Sequence, residues 1–206
     1  MITLLEAHYL PTVQWFYHFR RAERVEIEAC ETYQKGSYRN RCTIVGANGP
    51  LLLSIPLLKG KHEQLPITEV RISDHTDWQR QHWQTIRSAY GRAPYFEFYA
   101  DELEPLFRKP ALFLFEWNTL LIETIATQLR IRTSWKGSEK FRAFDADGTK
   151  DLRGIITPKP QKMRHPDREF ITKPYLQVFS ERHGFSPNLS VLDLLFCLGP
   201  EAAKVL

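Results

Sequence analysis

The stretch Tyr33–Cys42, YQKGSYRNRC, concentrates groups that recognise anions. Arg39 and Arg41 carry planar donor forks matched to carboxylate and phosphate oxygens, and Lys35 adds a compact charge. Asn40 can donate and accept, while Tyr33 and Tyr38 offer flat apolar faces with a hydroxyl. Continued as a strand, the segment would turn Tyr38 and Asn40 to one side and Arg39 and Arg41 to the other, pairing the arginines as an anion clamp requires. The same residues also suit a solvated hairpin edge whose cations discourage edge-to-edge pairing.

Two further stretches carry chemistry. In DWQRQHWQTIRSAYGRAPYF, His82 has an ordinary pKa near neutrality and reads either as a general base or as a core histidine. It shares a helical face with Trp78, Ile86 and Tyr90. In KDLRGIITPKPQK, Arg153 and Lys159 flank stiffening prolines and could close over an anionic substrate, or lie in a basic surface linker. No histidine pair has metal-ligand spacing, so no metal site is expected. The sequence has no P-loop, no G-x-G-x-x-G fingerprint and no G-x-S-x-G elbow, and it assigns no cofactor.

These residues need a scaffold. ITLLEAHYL reads as a strand ended by Pro11, TVQWFYHFRRA as a helix capped by Thr12, and RVEIEAC as a half-buried strand. NRCTIVGANGPLLLSIPLL reads as two strands joined through Gly46-Ala47-Asn48-Gly49, because Asn-Gly accepts positive φ. ITEVRIS alternates as a weaker strand. Helices follow from Trp78 to Tyr90, over FEFYADELEPLF, and from Pro110 to Ile131, where Phe113, Trp117, Leu120, Leu121 and Ile125 form a stripe. Ser190 could cap a last helix through Phe196. The expected fold is α/β or α+β in a single domain, with a mixed sheet from the N-terminal half and helices packed on it. It divides into a core over 1–135, a basic loop or lid over 136–173, and a C-terminal helical extension over 174–206.

The 206 residues are 43% hydrophobic and 25% charged, with thirteen Phe and five Trp, enough for a packed core. Residues 136–173 hold ten Lys/Arg and six Asp/Glu, a surplus equal to the whole chain's +4. Such a local excess fits an anionic small molecule or a nucleic acid. With no recognised nucleic-acid motif, the small-molecule enzyme is the favoured reading and a nucleic-acid-contacting assembly protein the alternative. The N-terminus lacks a basic leader and no apolar run could span a bilayer, so a cytoplasmic protein is expected. Cys30, Cys42 and Cys197 have no metal spacing and fit a reduced compartment; Cys42 reads as a buried thiol rather than a nucleophile.

In order, the motifs resemble the WbqC-like family of bacterial proteins. They are Tyr9-Leu10-Pro11; Lys35, Tyr38, Asn40 and Arg41; Ile55-Pro56; Trp78 and His82; Tyr90, Ala93, Pro94, Phe96 and Tyr99; Asn118; and Gly137-Ser138. The resemblance runs over about residues 2–138, and the tail resembles an extension of Bacteroidetes members. The chain departs from the family pattern at Glu6-Ala7, where Gln-Pro is usual, at Thr32, where a glutamine is frequent, and at Tyr38, where a tryptophan is usual. The resemblance implies a cytoplasmic enzyme of O-antigen-type surface polysaccharide biosynthesis, modifying an activated sugar or transferring an acyl or aminoacyl group. It also implies that Lys35, Asn40, Arg41 and His82 belong to the site.

Overall fold

In a computed structural model, which describes residues 1–58, 60, 62–144 and 146–206, the first strand, β1 (Ile2–Glu6), is short, apolar and central. The chain then turns at Leu10, whose φ is +41°, into α1 (Val13–Arg21). The Thr12 side chain accepts from the Trp15 amide, the N-cap that the sequence signals. Trp15, Phe16 and Phe19 on α1 are buried. β2 (Arg24–Glu28) returns parallel to β1, with Leu5 opposite Ile27.

Both pairing modes expected of the sheet are present, in two separate sheets. The main one is parallel, in the order β5 (Ser134–Gly137), β2, β1, β6 (Thr149–Asp151). The antiparallel one is the hairpin β3 (Arg41–Gly46) and β4 (Gly49–Ser54), which closes through Ala47-Asn48 with Gly49 at φ +105°. β6 comes from the basic segment, which therefore supplies a strand beside β1 as well as loop.

Local readings changed where tertiary contacts outvote periodicity. ITEVRIS holds the 3-10 turn Ile67–Glu69 and single bridges such as Arg71 with Phe113. Tyr33–Asn40 forms turns, and β3 begins only at Arg41, so no strand alternation pairs Arg39 with Arg41. The helix α4 (Leu114–Gln128) starts after Pro110, because the chain before it stays extended to meet residues 70–72. Glu26 and Glu28, expected outside, are buried. β2 is an inner strand, and residues 142–153 reach both carboxylates: Arg142 Nε lies 3.0 Å from Glu26 and Arg153 Nη1 2.5 Å from Glu28.

The helices α2 (Trp78–Tyr90), α3 (Phe96–Leu103) and α4 bury an aromatic network in which Trp117 meets Trp78 and Phe107 edge-on. After the short α5 (Ser180–His183) comes α6 (Val191–Leu198), capped by Ser190 as expected, which packs against α1, α3 and β3; α7 (Ala202–Val205) ends the fold. Among the described residues no helix is long and apolar enough to cross a membrane.

Candidate functional site

The strand order places a crevice. The β1–β2 connection leaves β1 on one side, whereas β6 joins it on the other, so the carboxyl ends of β1 and β6 flank a topological switch point. Glu6 closes β1, and Arg153 and Gly154 follow β6. A cleft opens there in two chambers of about 360 and 520 Å³ that share Glu6, Thr32, Gln34, Gly154 and Lys162.

The smaller chamber is lined by Tyr33, Lys35, Gly36, Arg39, Lys159 and Lys162 among others. Two stretches some 120 residues apart in sequence thus meet. Lys159 Nζ lies 3.5 Å from the Lys35 carbonyl and directly over Gly36, where a Cβ would stand 2.1 Å from that nitrogen. Gly36 has φ +77°, so the turn and the close approach both call for glycine. Among the described residues, Lys35, Lys159 and Lys162 border this chamber without a carboxylate partner.

Arg39 does not. It is 1% exposed, its Nε lies 2.7 Å from Glu31, its Nη2 lies 2.7 Å from Glu6, and Nη2 also bonds the second Glu31 oxygen. Its charge is committed inside the protein, which corrects its expected role as an anion ligand. Arg153 is likewise held: Nε and Nη2 grip Asp151 at 2.9 and 2.6 Å, Nη1 takes Glu28, and the Phe141 and Phe144 rings lie over the guanidinium. It borders the larger chamber as a strut.

One guanidinium between two buried carboxylates leaves them unequal. Burial raises Glu6, but Arg39's charge, His8 and the Gly154 amide outweigh it and hold Glu6 down at about 2. Burial raises Glu31 to about 7; the attraction of Arg39, shared with Glu6, is insufficient, and the Glu6 and Glu28 charges add to the rise. Glu31, which borders the larger chamber, can therefore exchange a proton near neutral pH.

The other expected residues lie elsewhere. His82 is buried, its Nδ1 is 2.8 Å from the Tyr9 hydroxyl, its ring bonds the Ser54 backbone, and burial lowers its pKa to about 4. It borders neither chamber, and its place is that of a core histidine. Arg41, opposite Ser54 in the hairpin, also borders neither chamber. Asn40 bonds the Ile55 carbonyl at 2.9 Å and accepts from Tyr33, the Tyr90 hydroxyl receives the Val45 amide, and Tyr38 packs against His8. Asn40, Tyr38 and Tyr90 are framework, whereas Tyr33 both supports Asn40 and lines the smaller chamber. Cys42 is buried and its thiol is pushed far up by burial, as a core cysteine's is.

Sequence reasoning passed over Glu6, Glu31, Lys162, Phe141 and Phe144. A signal existed for the acids: Glu6, Glu28 and Glu31 all fall at or just after the carboxyl ends of apolar strands, where α/β proteins place their sites. Among the described residues no group of three or more His, Cys, Asp or Glu could hold a metal ion.

The protein is 26% identical to the uncharacterised protein Rv1507c of Mycobacterium tuberculosis over 227 aligned positions, covering all of this chain and 96% of the relative. No solved structure matches. The family model described as "WbqC-like protein family" matches residues 6–158, from the last residue of β1 to the proline before Lys159, and so takes in most of the cleft. The chain belongs to the WbqC-like family.

Proposed function

We propose that the protein is an enzyme that transfers a group on an anionic, phosphorylated substrate held in this cleft. The observation that carries the reading is the convergence of Lys35, Lys159 and Lys162, from two distant stretches, on a cleft at the switch point, with a proton-exchanging carboxyl at Glu31 in the adjoining chamber. The lysines bind the phosphate and so anchor the substrate in the cleft. Glu31 takes the proton from an attacking hydroxyl or amine, and Arg39 with Glu6 fixes its orientation. Surface polysaccharide biosynthesis of the O-antigen type is the setting that the family resemblance supports, and an activated sugar or an acyl or aminoacyl group is the cargo it favours.

Calorimetric titration with inorganic pyrophosphate tests the cleft. Lys159→Ala should weaken binding by roughly tenfold to a hundredfold, the worth of a charge-assisted contact of ~1.5–3 kcal/mol, with the melting temperature unchanged. An affinity for pyrophosphate that ignores Lys159, or none at all, would remove the reading. Binding of single-stranded RNA that collapses by orders of magnitude over a fourfold salt increase would instead favour the assembly-protein alternative.

A further inference from the structure

The larger chamber has an aromatic wall that the proposed chemistry leaves unused. Phe141 and Phe144 stand edge to face, centroids 5.8 Å apart at 84°, and line the chamber together with Glu31 and Gln34. The Arg153 guanidinium carbon lies 4.9 Å from each centroid and that of Arg164 lies 4.3 Å from Phe144. These cations hold the rings in place, and Arg153 is itself fixed by Asp151 and Glu28. Even so, Phe141 stays 48% and Phe144 50% exposed. Single exposed phenylalanines are ordinary; two adjacent ones, held by guanidiniums at the mouth of a polar cleft, form a platform.

Resting on the reading of the cleft given above, we infer that the substrate is a phosphorylated sugar whose ring lies on Phe141 and Phe144 while its phosphate sits among Lys35, Lys159 and Lys162. The division of the cleft points there. The aromatic wall and Glu31 share one chamber and the lysines border the other, with Lys162 common to both. The part of the ligand on the rings is therefore the part beside the proton-exchanging carboxyl, which makes it the reacting part. A nucleobase serves as a handle and would fill that chamber without presenting an acceptor. An alkyl chain would set apolar bulk against the Thr32 and Gln34 side chains and give them no hydrogen-bond partner. A pyranose fits both surfaces: its apolar C–H face packs against the exposed part of the phenyl pair, and its hydroxyl or amino substituents suit Glu31 and Gln34. Glu31 then removes the proton from one such substituent as that oxygen or nitrogen bonds to the carbonyl carbon of an activated acyl or aminoacyl donor, whose activating group departs with the bonding pair.

Two sources supply this chemistry, a hexose 1-phosphate and a nucleoside-diphosphate hexose. Calorimetry on the full chain separates them, using phosphate, the 1-phosphates of glucose, galactose and N-acetylglucosamine, UDP, and the UDP esters of the same sugars. At least one sugar ligand should bind about fivefold to tenfold more tightly than its sugar-free counterpart, the range of a favourable aromatic contact. Phe141→Ala with Phe144→Ala should erase that gain and leave phosphate and UDP affinities unchanged. The leucine pair, which keeps apolar bulk without a ring face, should lose the gain too and serves if the alanine pair folds poorly. The series with the larger gain identifies the source. No gain for any sugar, or a gain that survives both double variants, would overturn the ring subsite while leaving the anion cleft in place. Failure of phosphate, UDP and every sugar ligand to bind would overturn the cleft reading itself.

Discussion

Replacing Glu31 by Gln removes a buried carboxyl that shares its counter-ion. Arg39 is a single cation between Glu6 and Glu31, which are 4% and 7% exposed, and Glu28 lies nearby with its own partner in Arg153. In the folded state Glu31 holds its proton up to about 7, whereas in the unfolded chain it releases it near 4.5. Between those values the native state binds more protons than the unfolded state, so stability falls as pH rises. The contribution is fully present below pH 4.5 and lost once pH exceeds 7. Some two and a half pKa units at ~1.4 kcal/mol each give about 3.5 kcal/mol in all, of which about 3 kcal/mol is lost above pH 4.5. Glutamine mimics the neutral carboxyl, keeps an acceptor for Arg39 Nε and does not titrate. Urea unfolding of wild type and Glu31→Gln at half-unit steps from pH 4.5 to 8 gives the test. The wild-type-minus-variant difference should drop by about 3 kcal/mol across that window, while effects from His8, His18 and His82 cancel in the subtraction. A difference that stays flat from pH 5 to 8 would mean that Glu31 is ionised throughout, and its role as the proton-exchanging group would fall with it.

Two other substitutions separate framework from site. His82→Gln should cost about 1–3 kcal/mol, by leaving the buried Tyr9 hydroxyl and Ser54 backbone poorly satisfied, and should leave pyrophosphate affinity unaltered; a loss of affinity with normal stability would restore the histidine to the site. Arg153→Ala removes the cation that Asp151 and Glu28 share, leaving Arg164 at 3.5 Å from Asp151 and the Ser138 hydroxyl on Glu28, and should destabilise the fold by about 3 kcal/mol in chemical denaturation, whereas an effect below ~1 kcal/mol would show that the remaining partners or solvent suffice.

The helix α1 was legible because its cap and its apolar spacing are both local, and α2 and α6 were legible for the same reason. The hairpin followed from Asn48-Gly49. The reading of β2 as half-buried failed at Glu26 and Glu28, since the covering arginines come from residues more than a hundred positions later. Lys35 and Lys159 are legible as cations in the sequence, and both border the cleft. Arg39 and Arg153 were chosen for the same positive charge, yet carboxylates on other strands consume it.

The sequence by itself determined the five longer helices among the described residues, where the hairpin turns, and that cations gather in Tyr33–Arg41 and residues 136–173, because propensity, capping and charge are properties of neighbouring residues. Tertiary structure alone decided which of those cations face solvent and which face a carboxylate, and that Glu31 shares its arginine with Glu6. Those outcomes depend on distances of a few ångströms between strands that only the parallel sheet brings together, and an electrostatic interaction has no value until that distance and its burial are set.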